Sequence, residues 1–202
     1  MLDFGMRITK CGVMNAELDA GYKVMKILIT GKPGIGKTTV IRTVATKLKA
    51  AVNDILLRGF ITEEKREGGR RIGFGIEDWE GGKGTLSHVE SKSVCRVGRY
   101  GVEIEAFEKI AIPSLEIPKE GQKVLYLIDE IGKMECFSES FYRAIREIFE
   151  GDYPVVSTIA MGGHPFIREI KSRPDITVIR LDTKNREMVP EKIVDTILRK
   201  FR

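Results

Sequence analysis

Hydrophobic positions along this chain switch between two periods, and the switches mark out alternating strands and helices. VMKILIT (24–30) is short, apolar and β-branched, as a strand buried on both faces of a parallel sheet requires. Over residues 38–49 the apolar Val40, Ile41, Val44 and Leu48 recur at helical spacing. ILLRGFIT (55–62) predicts another strand, and RRIGFGIEDW (70–79) sets Ile72, Phe74 and Ile76 on one face of a half-buried one. Gly68-Gly69 between them predicts a hairpin with charge on its tip. EIEAFEKIAI (103–112) reads as a helix closed by Pro113, and LYLIDEI (125–131) as a buried strand. Ser138 is placed to cap a helix with Phe141, Ile145, Ile148 and Phe149 on one face and Gly151 as its C′ residue. PVVSTIA (154–160) and ITVIRL (176–181) are further strands. Pro190 opens a last helix whose Ile193, Val194, Ile197, Leu198 and Phe201 face inward. Strands alternating with helices predict an α/β fold with a mostly parallel sheet. Residues 80–103, rich in glycine and charge, yield no element.

Residues 1–24 show no sustained period and read as an optional extension, since Met6, Met14 and Met25 are each a plausible start. Residues 25–202 then form a single domain. A hydrophobic content of 42% supports a sizeable core, and no apolar run has membrane-spanning length. The three cysteines, Cys11, Cys95 and Cys136, fit neither a disulfide framework nor a zinc spacing, and read as reduced thiols of a cytoplasmic protein. A net charge of +5 permits a polyanionic ligand without indicating nucleic acid. Charged residues reach 31% against three Asn and one Gln, a balance common in thermophile proteins. Oligomeric state is not written in the sequence; a monomer is the default.

Two stretches carry chemistry. GKPGIGKT fits G-x-x-x-x-G-K-[ST] between a predicted strand and a predicted helix. Its glycines let backbone N–H groups converge on phosphate oxygens, and the helix that follows adds the favourable end of its dipole. Gly31, Lys32, Pro33, Gly34, Ile35, Gly36, Lys37, Thr38 and the adjoining Thr39 are therefore candidate nucleotide-binding residues. Lys37 supplies charge to the β- and γ-phosphates, and the Thr38 hydroxyl is a candidate Mg²⁺ ligand. The second stretch is LYLIDEIGKME, an apolar strand ending in acids. Asp129 fits the second Mg²⁺ ligand, usually held through water. Glu130, on the other side of the strand end, is a candidate base for an attacking water, with a solvated surface acid as the plain alternative. Lys133 and Glu135 have two readings, contact with phosphate or a surface ion pair with each other.

GKPGIGKTT, RGFITEE, IGF, LIDEIGKME, HPF and TKNRE together resemble the cancer-related nucleoside-triphosphatase family over roughly residues 25–202. DEIGKME is the most specific of these. The resemblance implies a RecA-like P-loop enzyme that converts nucleoside triphosphates to diphosphate and phosphate, with Mg²⁺ and tolerance of several bases. It also implies a sheet in which another strand separates the phosphate-loop strand from the Asp129 strand. Gly162-Gly163 stands where related chains often carry basic residues, which puts a cationic contact in doubt, and Glu187 stands where Asp is usual.

Remaining candidates are His164, near the phosphates or simply packed, and Trp79, as core, lid or base-stacking ring. Arg168, Arg173, Arg180 and Arg186 are candidates for a transition-state cation. A small-molecule kinase on the same scaffold is the alternative function, with Arg66, Arg70 and Arg71 available to a lid; Glu130 directly after Asp129 favours water instead. A nucleotide switch or transporter-type ATPase is disfavoured, because Asn-Lys-x-Asp and LSGGQ-like segments are missing from the sequence.

Overall fold

Alternate residues of the central strands point to opposite faces of one sheet, and each face has its own helices. The computed structural model describes residues 24–201, and at Phe201 the backbone only. The expectations for the N-terminal extension before Val24 and for the Phe201 side chain lie outside the described residues. The parallel sheet is built from β1 (Lys26–Thr30), β2 (Leu56–Arg58), β8 (Val124–Ile131), β9 (Val155–Ile159) and β10 (Thr177–Arg180), in the order β10-β1-β9-β8-β2. Ile27, Ile29, Leu125 and Leu127 face α1 (Lys37–Ala51) and α5 (Val189–Phe201). Leu28, Val124, Tyr126 and Ile128 face α2 (Ile104–Ser114), α3 (Glu139–Glu150) and α4 (Pro165–Lys171). β9 lies between β1 and β8, so the strand leading into GKPGIGKT and the strand ending in Asp129-Glu130 are two places apart.

Ser138 caps α3 by accepting from the Phe141 N–H at 2.9 Å, as expected. Gly151 follows that helix with extended backbone (φ −77°, ψ 172°) rather than the left-handed turn its identity suggested. Pro113 sits inside the last turn of α2 rather than just beyond it.

A larger departure concerns ILLRGFIT. Gly59, at φ +102°, breaks it into β2 of the parallel sheet and β3 (Phe60–Glu67), which leaves for a second sheet. A Cβ at Gly59 would stand 2.4 Å from the Leu127 carbonyl oxygen, so the turn needs both the conformation and the bareness of glycine. The second sheet is antiparallel, in the order β3-β4-β5-β7-β6, with β4 (Arg70–Asp78), β5 (Lys83–His88), β6 (Arg96–Val97) and β7 (Tyr100–Val102). The expected hairpin at Gly68-Gly69 joins β3 to β4. Residues 80–103, unread in the sequence, supply the rest of this sheet. Its Phe60, Ile76, Leu86 and Val102 complete the core beneath α2. The two sheets meet where β3 passes the end of β8, which leaves a cleft between them.

Candidate active site

The cleft, about 1130 Å³, runs from the phosphate loop across the end of β8 to the second sheet. Gly31, Pro33, Gly34, Gly36, Lys37, Thr38 and Thr39 line one side. Gly34 and Gly36 adopt φ of +75° and +106°, which folds the loop back over the start of α1. At Gly31 a Cβ would lie 2.9 Å from the Leu181 carbonyl oxygen, so glycine lets the loop begin tight against the strand end of β10. Lys32 and Ile35 belong to the same loop; neither lines the cleft, and Lys32 is exposed.

Two threonine side chains meet at Asp129. Thr38 Oγ1 donates to one carboxylate oxygen at 2.6 Å, and Thr158 Oγ1, from the end of β9, donates to the other at 2.5 Å. Asp129 is 1% exposed, and burial pushes its carboxyl above the usual range; the two threonines, the Lys37 charge and the Thr62 N–H oppose that shift. Glu130 faces the cleft from the next position, across a cis peptide bond, with Oε2 3.6 Å from Lys37 Nζ. Burial raises the Glu130 carboxyl as well; Lys37 pulls it down while Asp129 pushes it further up. The alternative of a solvated surface acid does not describe Glu130.

Lys133 and Glu135 do not pair with each other. Glu135 is buried, its carboxyl pushed up to about 8 by burial and then by the Glu130 charge. Lys133 is exposed at the cleft, its stem against Gly163. A side chain at Gly163 would meet the end of Lys133, whereas Gly162 has open space where a Cβ would stand, so only the second glycine of that departure has a local reason.

Several other candidates lie elsewhere. His164 caps α4 at the Phe166 N–H (3.3 Å) and is bonded to the Tyr142 hydroxyl, the packed reading. Trp79 packs against the α1 side of the core and donates from Nε1 to the Leu127 carbonyl at 2.9 Å, away from the cleft. Arg168, Arg173, Arg180 and Arg186 all lie outside the cleft lining. Arg173 is tied to Asp175 and the Phe149 carbonyl, and Arg186 to Glu187. Arg66 and Arg71 both engage Glu64, which ties down two of the three arginines a kinase lid would use.

Three residues of the site had no signal in the sequence. Thr158 reaches Asp129 only because β9 pairs with β8. Arg42 turns toward Glu63 of the second sheet at 3.2 Å. Lys171, from the end of α4, donates to the Ala160 carbonyl (2.6 Å), the Met161 carbonyl (3.1 Å) and Thr30 Oγ1 (3.3 Å). It thereby ties the end of β1 to the loop after β9, both of which border the cleft.

A phosphate loop after one parallel strand, facing an acidic strand end two places away, defines a P-loop NTPase of the α/β class. A family model described as NTPase matches residues 26–194. Nucleoside-triphosphatase THEP1 of Thermotoga maritima is 40% identical over 173 residues, spanning 86% of this chain and 95% of that protein. Cancer-related nucleoside-triphosphatase of Homo sapiens is 37% identical over 188 residues, spanning 85% of this chain and 95% of that protein. The crystal structure of THEP1 from the hyperthermophile Aquifex aeolicus aligns with a TM-score of 0.76 at 38% identity, covering 86% of this chain and 99% of that one. The chain belongs to this nucleoside-triphosphatase family, as its motifs indicated. Among the described residues no helix is long and apolar enough to cross a membrane.

Proposed function

We propose that the protein hydrolyses Mg²⁺-bound nucleoside triphosphates to diphosphate and phosphate, with little discrimination among bases. The observation that carries this reading is the placement of Glu130 beside Asp129, facing the cleft 3.6 Å from Lys37. The Asp129 carboxylate and the Thr38 hydroxyl are oxygen donors bonded to each other, which suits a hard cation. Among the described residues no cluster of three or more His, Cys, Asp or Glu could hold a metal, so such an ion would complete its shell with phosphate oxygens and water. Mg²⁺ bound there supplies charge neutralisation to the phosphates and favours the ionised form of Asp129.

The chain's own groups account for the rest. Loop N–H groups and the Lys37 ammonium orient the β- and γ-phosphates. Glu130 accepts a proton from a water whose oxygen attacks the γ-phosphorus. The bond from that phosphorus to the bridging oxygen breaks, and its electron pair leaves with the diphosphate. Lys37 is shared between Glu130 and the phosphates, so a bound triphosphate would draw the ammonium away and leave the carboxylate more basic.

Cys95 and Cys136 are free thiols, which suits a cytoplasmic setting. Phosphate release from each common triphosphate, with and without Mg²⁺, tests the proposal. Multiple turnover only with Mg²⁺, at kcat/KM values within ~10³-fold across bases, is expected, because rejection beyond that needs a buried hydrogen-bonding base site. Absence of turnover, or transfer of phosphate to an organic acceptor in place of water, would overturn it.

A further inference from the structure

Four cations line the cleft: Lys37, Arg42, Arg71 and Lys133. Three already have carboxylate partners. Lys37 faces Glu130 at 3.6 Å, and Arg42 faces Glu63 at 3.2 Å. Arg71 bonds Glu64 at 2.7 Å and the Tyr100 hydroxyl at 2.9 Å, and lies over the Phe74 ring. Lys133 alone among these four has no hydrogen bond or ion pair with another described residue. The turn after β8 brings it into the cleft three positions beyond Glu130. Its side chain lies along Gly163: a Cβ built there would stand 2.2 Å from Lys133 Cε and 2.8 Å from Nζ. Gly163 itself sits at φ +102°, a conformation that side chains disfavour. The missing Cβ leaves room for the Lys133 ammonium against the backbone, and a side chain there would displace that mobile end from where it lies.

We propose that Lys133 is the cation that meets the transferring γ-phosphoryl group, and that Gly163 is the positioning residue that leaves it room. The inference rests on the triphosphatase reading. Hydrolysis spreads charge over the equatorial oxygens and the departing bridge, and P-loop enzymes commonly need a cation there beyond the loop lysine. The four arginines proposed from the sequence as transition-state cations lie outside the cleft, and each of its own two arginines already faces a carboxylate. Lys133 offers three donors from a flexible stem, so it can follow the phosphoryl group as the bond lengthens.

The test is a cycle of Lys133→Met, Gly163→Ala and the double variant, with Lys133→Arg beside it. Each is measured by single-turnover phosphate release and by calorimetric titration with a Mg²⁺-bound non-hydrolysable triphosphate analogue. Lys133→Met should slow release by ~10²–10³-fold, the usual loss for one transition-state donor, while analogue affinity stays near that of the parent. Lys133→Arg should recover part of the rate. Gly163→Ala should slow release on its own and add nothing to Lys133→Met, because both changes act through one ammonium. Where Gly163→Ala fails to fold, Gly163→Asn, which tolerates positive φ better, presents the same clash. Parental release by Lys133→Met overturns the proposal, and additive losses in the cycle remove Gly163 from it. A parent protein that releases no phosphate would instead sink the triphosphatase reading, so the two failures are distinct.

Discussion

Thr38 and Asp129 stand 91 positions apart in the chain and meet in a 2.6 Å hydrogen bond. That contact joins the phosphate loop to the acidic strand end across the intervening β9, which adds its own Thr158 to the same carboxylate. A carboxylate at 1% exposure would be costly without such donors, so the two threonines offset part of the cost of placing one where phosphate and metal are expected.

Thr158 gives this arrangement a test away from the phosphate loop. Thr158→Val preserves shape but leaves one Asp129 oxygen without its donor. Loss of such a buried bond costs ~1–3 kcal/mol, and chemical denaturation should read a loss of that size. Nucleotide affinity should also fall, because the carboxylate gains freedom to turn from its position. A variant as stable as its parent would mean the 2.5 Å contact contributes nothing.

Lys37→Ala should slow phosphate release by at least ~10²-fold, the loss seen when an electrostatic stabiliser of a transition state is removed. It also frees Glu130 from its 3.6 Å partner, so burial and the Asp129 charge would act unopposed by that ammonium. Hydrolysis close to the parental rate would leave the phosphate loop with no part in the chemistry.

Glu135 predicts a pH dependence of stability. Its carboxyl is pushed from 4.5 to about 8, first by burial and then by the Glu130 charge. The unfolded chain releases this proton near 4.5, whereas the folded protein holds it until about 8. Between those values the folded state binds more protons, so this residue's contribution to stability declines as pH rises. Glu135→Gln is neutral at every pH and escapes that decline. Its melting temperature relative to the parent should therefore climb from about pH 5 to about pH 8. A constant difference across that range would show that Glu135 is ionised in the folded protein.

The parallel layer and the phosphate loop were legible in the sequence because each is written locally. Ile27 to Ile29 form an uninterrupted apolar run, and α3 repeats its apolar residues every three or four positions. The loop is a contiguous motif whose meaning depends only on its immediate flanks. Features made by pairing were not legible. ILLRGFIT looks continuous because its break is a single glycine, whose requirement comes from the Leu127 carbonyl on another strand. β5, KGTLSH, is short and half polar, and becomes a strand only by pairing with β4. Thr158 and Lys171 carry no local mark either, since their partners are supplied by β8, β1 and the loop after β9. The burial of Glu135 belonged to neither of its two readings, phosphate contact or a surface pair with Lys133, because it depends on how the turn after β8 folds back.

Glu130 decides whether the account holds. Glu130→Gln keeps the size and shape of the side chain but removes its ability to accept a proton, together with the charge that faces Lys37. Asp129→Asn instead removes charge where the cation is expected, and should weaken nucleotide affinity and the Mg²⁺ requirement together. The most direct measurement is single-turnover phosphate release by Glu130→Gln, run beside titration with a Mg²⁺-bound non-hydrolysable analogue. Release slowed by ~10²–10⁴-fold, the usual weight of a positioned general base, with the analogue still bound, is the predicted result. Release at the parental rate would contradict the assignment of Glu130 as the base, and loss of analogue binding would show that the roles of the two carboxylates are reversed.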